Sequence, residues 1–273
     1  HTAQIQLVKF LEQNETRPTL TDLEGAFSVE AVSTQFYLDY RNLYEKLKAE
    51  LERIIKKEST VAEEFKSNSI QPQNYVKKLL GQIVFLYFLQ KKGWIGLKKD
   101  KKSGNFMSWG TGPKNFLRLL FEKEYRDYEN FFNEILKMLL YAGLSTEHDR
   151  DFFPYLNCKI PFLNGGLFEA INGYAWDETE ILIDNALIKD VLDTFDRYNF
   201  TIREDEPLEK EVAIDPEMLG KVFENLIEEN ERKGKGTFYT PRPIVNYICQ
   251  ESLVNHLNSS CMEVPKEDIE ILI

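Results

Sequence analysis

The residues best placed to do chemistry lie together near the C-terminal end, in Leu219–Ile248, LGKVFENLIEENERKGKGTFYTPRPIVNYI. The order is helix, glycine-rich break, aromatic pair, capped helix. Gly234 and Gly236 bracket Lys235, and such loops serve where backbone must approach a ligand closely or move. Phe238 and Tyr239 follow directly. Aromatic faces beside a helix start can cover a flat or apolar ligand. Thr240 is a natural cap for a helix opening at Pro241. The free amides of that helix end can hold a carboxylate. The plainer alternative makes Phe238 and Tyr239 core residues where the helix begins.

Other chemistry-bearing residues are scattered. Cys158, Cys249 and Cys261 are odd in number and lack zinc spacing, so they read as reduced thiols of a cytosolic protein rather than a disulfide framework. His1, His148 and His256 are isolated, and no metal site is expected. The net charge of −11 argues against a general nucleic-acid binder. Charge is local, however. Residues 91–102 hold six lysines (Lys91, Lys92, Lys98, Lys99, Lys101, Lys102) against Asp100. Residues 232–250 hold Arg232, Lys233, Lys235 and Arg242 and no acid. Lys98, Lys99, Lys101, Lys102, Arg232, Lys233 and Lys235 are therefore candidates for phosphate contact, with a solvated loop as the bland alternative.

The elements that must position these residues are mostly helical. Val32, Phe36, Tyr40, Leu43, Leu47, Leu51 and Ile54 step by three or four and predict a helix near 29–57, capped by Ser28 and ending in basic residues. The stripe suits a bundle face better than a dimer seam. Residues 74–92 are apolar on most sides and predict a central helix ended by Gly93. Residues 98–113 read as loop. Shorter helices are expected at 5–13, 115–125, 128–141 and 181–194. Pro, Gly and Asn punctuate 150–177, and any strands should be short and lie in 150–185 or at the C-terminus. Asp215-Pro216-Glu217 is a strong helix start, and 268–273 reads as the beginning of a strand. The acidic, Pro-containing 201–211 marks the division into domains 1–205 and 206–273. No apolar run approaches the roughly 18 residues a membrane span needs, and no signal peptide opens the chain. A start at His1 rather than Met reads as a processed, cloned or partly ordered product.

GTFYTPRPIV (Gly236–Val245) resembles the cofactor-side motif of adenine-specific DNA methyltransferases, above all the fused restriction-modification enzymes called type IIG. AFSVEAVSTQFYLDY (Ala26–Tyr40), PFLNGGLFE (Pro161–Glu169) and IDPEMLGKVFENLI (Ile214–Ile227) are similar to stretches of the same enzymes. The resemblance implies that Thr237, Phe238, Tyr239, Thr240 and Pro241 line a pocket for S-adenosylmethionine. It implies double-stranded DNA as partner, adenine methylation as the parent's activity, and Mg²⁺ wherever the parent carries a nuclease. The implied fold is mainly α: a helical bundle-like connector followed by the N-terminal helices of a Rossmann-like methyltransferase domain. Two family motifs are missing: the Gly-rich loop after the first core strand, and the Asn/Asp-Pro-Pro-aromatic tetrapeptide that holds a flipped adenine. Asp215-Pro216 does not supply the latter, because Glu217 follows. The resemblance thus implies a piece that lacks catalytic residues. The rival expectation is a non-catalytic helical scaffold linking other domains.

Overall fold

In a computed structural model the protein is described at residues 29–99, 104–163, 165–173 and 179–200, and further on at 213–214, 220, 240 and 242–260. The fold is mainly α. The chain divides into two units, His1–Ile214 and Asp215–Ile273. The expected helix at 5–13, the helix expected at 215–229 except for the helical and buried Gly220, the Ser28 cap, the segment 201–211 and the strand at 268–273 lie outside the described residues.

In the first unit α1 (Val29–Lys57) carries the predicted stripe. Val32, Phe36, Tyr40, Leu43, Leu47, Leu51 and Ile54 are all buried. A short α2 (Ser59–Ser67), which the periodicity did not announce, follows and buries only Val61 and Phe65. Two apolar residues are too few to make a periodic signal.

α3 (Pro72–Lys92) is the central helix. Pro72 suits its first turn, where the missing amide costs nothing. Gly93 ends it at φ +69°, its amide bonding Gln90 O at 2.9 Å while the Trp94 amide reaches Leu89 O at 3.0 Å. That pair of bonds satisfies carbonyls the helix end would otherwise orphan. α4 (Phe116–Phe121) is shorter than the expected 115–125, because the chain turns at Lys123, whose φ is +65°.

The expected α-helix at 128–141 is instead two π-helical turns, Phe131–Leu136 and Met138–Leu144. The reason lies in the spacing. Buried residues other than Lys137 fall at 131, 132, 135, 136, 139, 140, 143 and 144, a repeat of four. An α-helix drifts about 40° per four residues, so three repeats would carry the last pair about 120° off the core. With i→i+5 bonds a turn takes more than four residues, so the drift over each repeat runs the opposite way. Gly143 sits close under Ile160, where a Cβ would lie 2.8 Å from Ile160 Cδ1 and push that side-chain end aside.

β1 (Phe152–Phe153) and β2 (Cys158–Lys159) pair antiparallel. α5 (Asn185–Phe195) starts later than the expected 181, because Asp184 Oδ1 accepts the Ala186 amide at 2.8 Å and fixes the cap. β3 (Asn199–Phe200) and β4 (Ala213–Ile214) pair in parallel. Both fall outside 150–185 and the C-terminus, where short strands were expected; Phe200 and Ile214 are buried, and neither stretch is long enough to alternate visibly. The core joins α1, α3 and α5 through rings: Phe195 of α5 meets Phe36 at 6.0 Å and Tyr87 at 5.6 Å. At its rim Arg118 bonds Asp193 and Asp196, and Asp196 accepts the Tyr87 hydroxyl at 2.6 Å.

In the second unit the described helix is α6 (Arg242–Ser260). It begins where Thr240-Pro241 predicts.

Candidate functional site

Of the five residues expected to line a cofactor pocket, Thr240 is described. It is exposed and stands just ahead of α6. Thr237, Phe238, Tyr239 and Pro241, the Gly234–Gly236 break, and the cations Arg232, Lys233 and Lys235 lie outside the described residues. Along α6 the face after the motif is open. Ile244, Val245, Tyr247, Ile248 and Leu253 are exposed, whereas Val254 is buried.

Lys98 and Lys99 are exposed, and extended backbone sends them to opposite sides. Lys98 Nζ donates to Glu124 O at 3.0 Å and sits 3.8 Å over the Tyr125 ring. Lys99 Nζ lies 5.2 Å over Phe106 and 5.6 Å over Phe152. Lys101 and Lys102 lie outside the described residues. The structure adds two cations here that the run at 91–102 did not include. Lys159 lies 4.7 Å over the exposed Trp109, and Lys114 donates to Gly110 O at 3.3 Å. Lys159 comes from far along the chain, so no run could announce it. Its position follows from pairing, since its amide bonds Leu97 O at 2.9 Å.

The sequence is similar to a protein of Methanocaldococcus jannaschii provisionally named a type II restriction enzyme and methyltransferase. The two are 29% identical over 201 residues, 68% of this chain and 15% of that protein. The chain therefore spans about 15% of the length of the relative it matches. No family model matches the sequence, and no solved structure matches it.

The loop PFLNGGLFE is held from one side by α3. Lys78 Nζ donates to Gly166 O at 2.8 Å and to Glu169 O, and Gln82 Nε2 donates to Leu167 O at 2.9 Å. Phe168 is buried and meets Phe85 edge-on at 5.7 Å. Partial burial lowers the Lys78 pKa, against the pull of Glu169. Gly165 takes φ +150°, a region side chains avoid, whereas a Cβ at Gly166 would meet nothing within 4 Å. The readable signal for this dock was polar side chains on a helix otherwise apolar all round, since buried amides and ammonium groups must find partners.

The isolated thiol and imidazole have structural settings. Cys158 is buried, and burial pushes its thiol up to about 12, so it stays protonated. His148 Nε2 lies 3.1 Å from Ala142 O and 3.0 Å from Gly143 O, which places its proton on that nitrogen. Among the described residues no three His, Cys, Asp or Glu side chains come together to hold a metal, and no helix is long and apolar enough to cross a membrane.

Proposed function

We propose that this chain is part of a restriction-modification DNA methyltransferase of the type IIG kind. The parent transfers a methyl group from S-adenosylmethionine to the exocyclic amino group of adenine in a specific duplex sequence. It also cleaves DNA where it carries a Mg²⁺-dependent nuclease. The observation that carries the reading is 29% identity to a protein named for both activities, met in a chain that contains GTFYTP.

On this reading residues 1–205 connect domains and 206–273 open the methyltransferase domain. S-adenosylmethionine, when bound, supplies the methyl group. The work of this chain is to hold it. Phe238 and Tyr239 cover it, Thr237 and Pro241 shape the wall, and Thr240 fixes the wall to the start of α6. An exposed Thr240 two residues ahead of the first residue of a 19-residue helix fits that role. The helix start offers amides to a carboxylate. The chain lacks the Asn/Asp-Pro-Pro-aromatic tetrapeptide, so pure chain transfers no labelled methyl to DNA.

The test is calorimetric titration of S-adenosylmethionine into the parent carrying Tyr239→Ala or Thr240→Ala, with thermal unfolding beside it. A several-fold loss of affinity is expected, with a melting shift no larger than a lost cap, about 1 kcal/mol, would cause. Unchanged affinity with a large stability loss would make these residues core and remove the pocket. A scaffold role for the first unit coexists with this reading, because Lys78 and Gln82 there serve to dock backbone.

A further inference from the structure

The connection between α3 and α4, residues 93–115, is long for a compact domain. Connections beyond about 12–15 residues are uncommon and, when ordered, usually functional. This one is built to be rigid at its base. Gly93 O accepts the amides of Gly110 and Gly112, both at 3.0 Å. A Cβ on Gly93 would lie 2.4 Å from Gly110 O, and one on Gly112 would lie 2.6 Å from Ile95 O. Further out, Leu97 pairs with Lys159 and Lys99 pairs with Phe106.

Onto this frame the chain concentrates its positive charge. Residues 91–114 hold seven lysines against the single acid Asp100, a net of +6, which leaves −17 for the remainder of a chain totalling −11. Lys98, Lys99 and Lys114 are exposed, and among the described residues none has a carboxylate partner. Backbone carbonyls and ring faces hold them instead. Such partners position an ammonium group without neutralising it. Trp109, next in the chain to the Gly110 that Lys114 bonds, stands exposed. Fixed, uncompensated cations on an acidic protein are a seat for a polyanion.

We propose that this connection is a contact surface for duplex DNA, with Lys98, Lys99 and Lys114 on backbone phosphates. The choice of DNA among polyanions rests on the proposed function. Lys98 and Lys99 point to opposite sides of the arm, which suits a groove with a phosphate row on either flank better than a flat duplex face. Contacts of this kind position the duplex and carry no sequence information.

The experiment uses the 273-residue chain, a fluorescent 30-base-pair duplex of arbitrary sequence, and anisotropy over a series of KCl concentrations without cofactor. The chain binds, and changing Lys98, Lys99 and Lys114 together to Gln lowers the slope of log affinity against log salt by about 2–3, near 0.9 per phosphate contact. The matching Arg variant restores the slope. Gln at Lys56, Lys57 and Lys66, exposed lysines elsewhere, leaves it unchanged. Unfolding of each variant, followed by tryptophan fluorescence, confirms that the fold is kept; should the triple variant unfold, the three single variants each carry a slope loss of about 0.9. An unchanged slope, no binding by the unaltered chain, or equal binding of a single strand would overturn the proposal. Because no cofactor or methyl transfer is read, these failures are separate from a failure of the parent to bind S-adenosylmethionine.

Discussion

α3 and α6 are nearly equal in length, 21 and 19 residues, and both carry apolar side chains on several sides. Their surroundings are opposite. In α3, 13 residues are buried. In α6, five large apolar side chains are exposed, four of them aliphatic, at 244, 245, 248 and 253. Apolar content alone does not make a core helix. What distinguishes α3 is that several of its buried polar groups bond to other parts of the fold. Gln82 bonds Leu167 O, Gln90 Oε1 accepts the Leu117 amide at 3.0 Å, and the Tyr87 hydroxyl reaches Asp196. A helix can sit at the centre only when its amides and hydroxyls can be satisfied there.

The sharpest way to break this contrast is a cavity in α3. Leu80 is fully buried, and Leu80→Ala should cost about 2–5 kcal/mol. All three tryptophans, Trp94, Trp109 and Trp176, belong to the first unit, so denaturant unfolding followed by tryptophan fluorescence reads that unit directly. A loss well under 1 kcal/mol would mean that α3 is not the centre of the core.

A smaller effect is expected at the rim that anchors Tyr87. Burial works to raise the Asp193 pKa, but hydrogen bonds from Lys189 and Arg118 outweigh it and hold the carboxyl below its ordinary 3.8. A folded-state value below the unfolded one contributes stability in full above the ordinary carboxylate value. That contribution is lost as pH falls through the folded value. Stability should therefore decline below about pH 4. Arg118→Met should lower it at neutral pH by about 1 kcal/mol and make the acid decline shallower. A variant whose acid decline is as steep as that of the unaltered chain would show that the Arg118 pair does not hold Asp193.

The smallest effect belongs to α6. Ile248→Ser should change stability by no more than about 0.5 kcal/mol, because the side chain is half exposed. Far-UV circular dichroism through thermal unfolding measures it. A loss of about 2 kcal/mol would place Ile248 in a core and make α6 a second α3.

Legibility in the sequence followed how one-sided each pattern is. The α1 stripe named its seven buried residues because every step of three or four lands on one face. Gly93 was readable as a stop because no other residue takes its conformation so cheaply. The π-helical stretch was missed because its pairs repeat every four residues, close enough to α spacing to pass for it over two turns. Lys159 beside Trp109 was missed because it arrives by strand pairing from some 50 residues away. At the candidate cofactor motif the sequence placed a helix start after Thr240, and α6 begins there.

The repeat of four also bears on the order of assembly. Starting any helix fixes several residues for a single hydrogen bond, and an i→i+5 turn fixes one more before its first bond closes. Residues 131–144 have little to gain from such a turn in isolation. The gain comes only when Phe131, Ile135, Leu139 and their partners meet a surface already formed by the other helices. The segment should therefore consolidate late. Its amides should become protected from solvent exchange after those of α1 and α3, and they should be the first of the three to open when the unit begins to unfold.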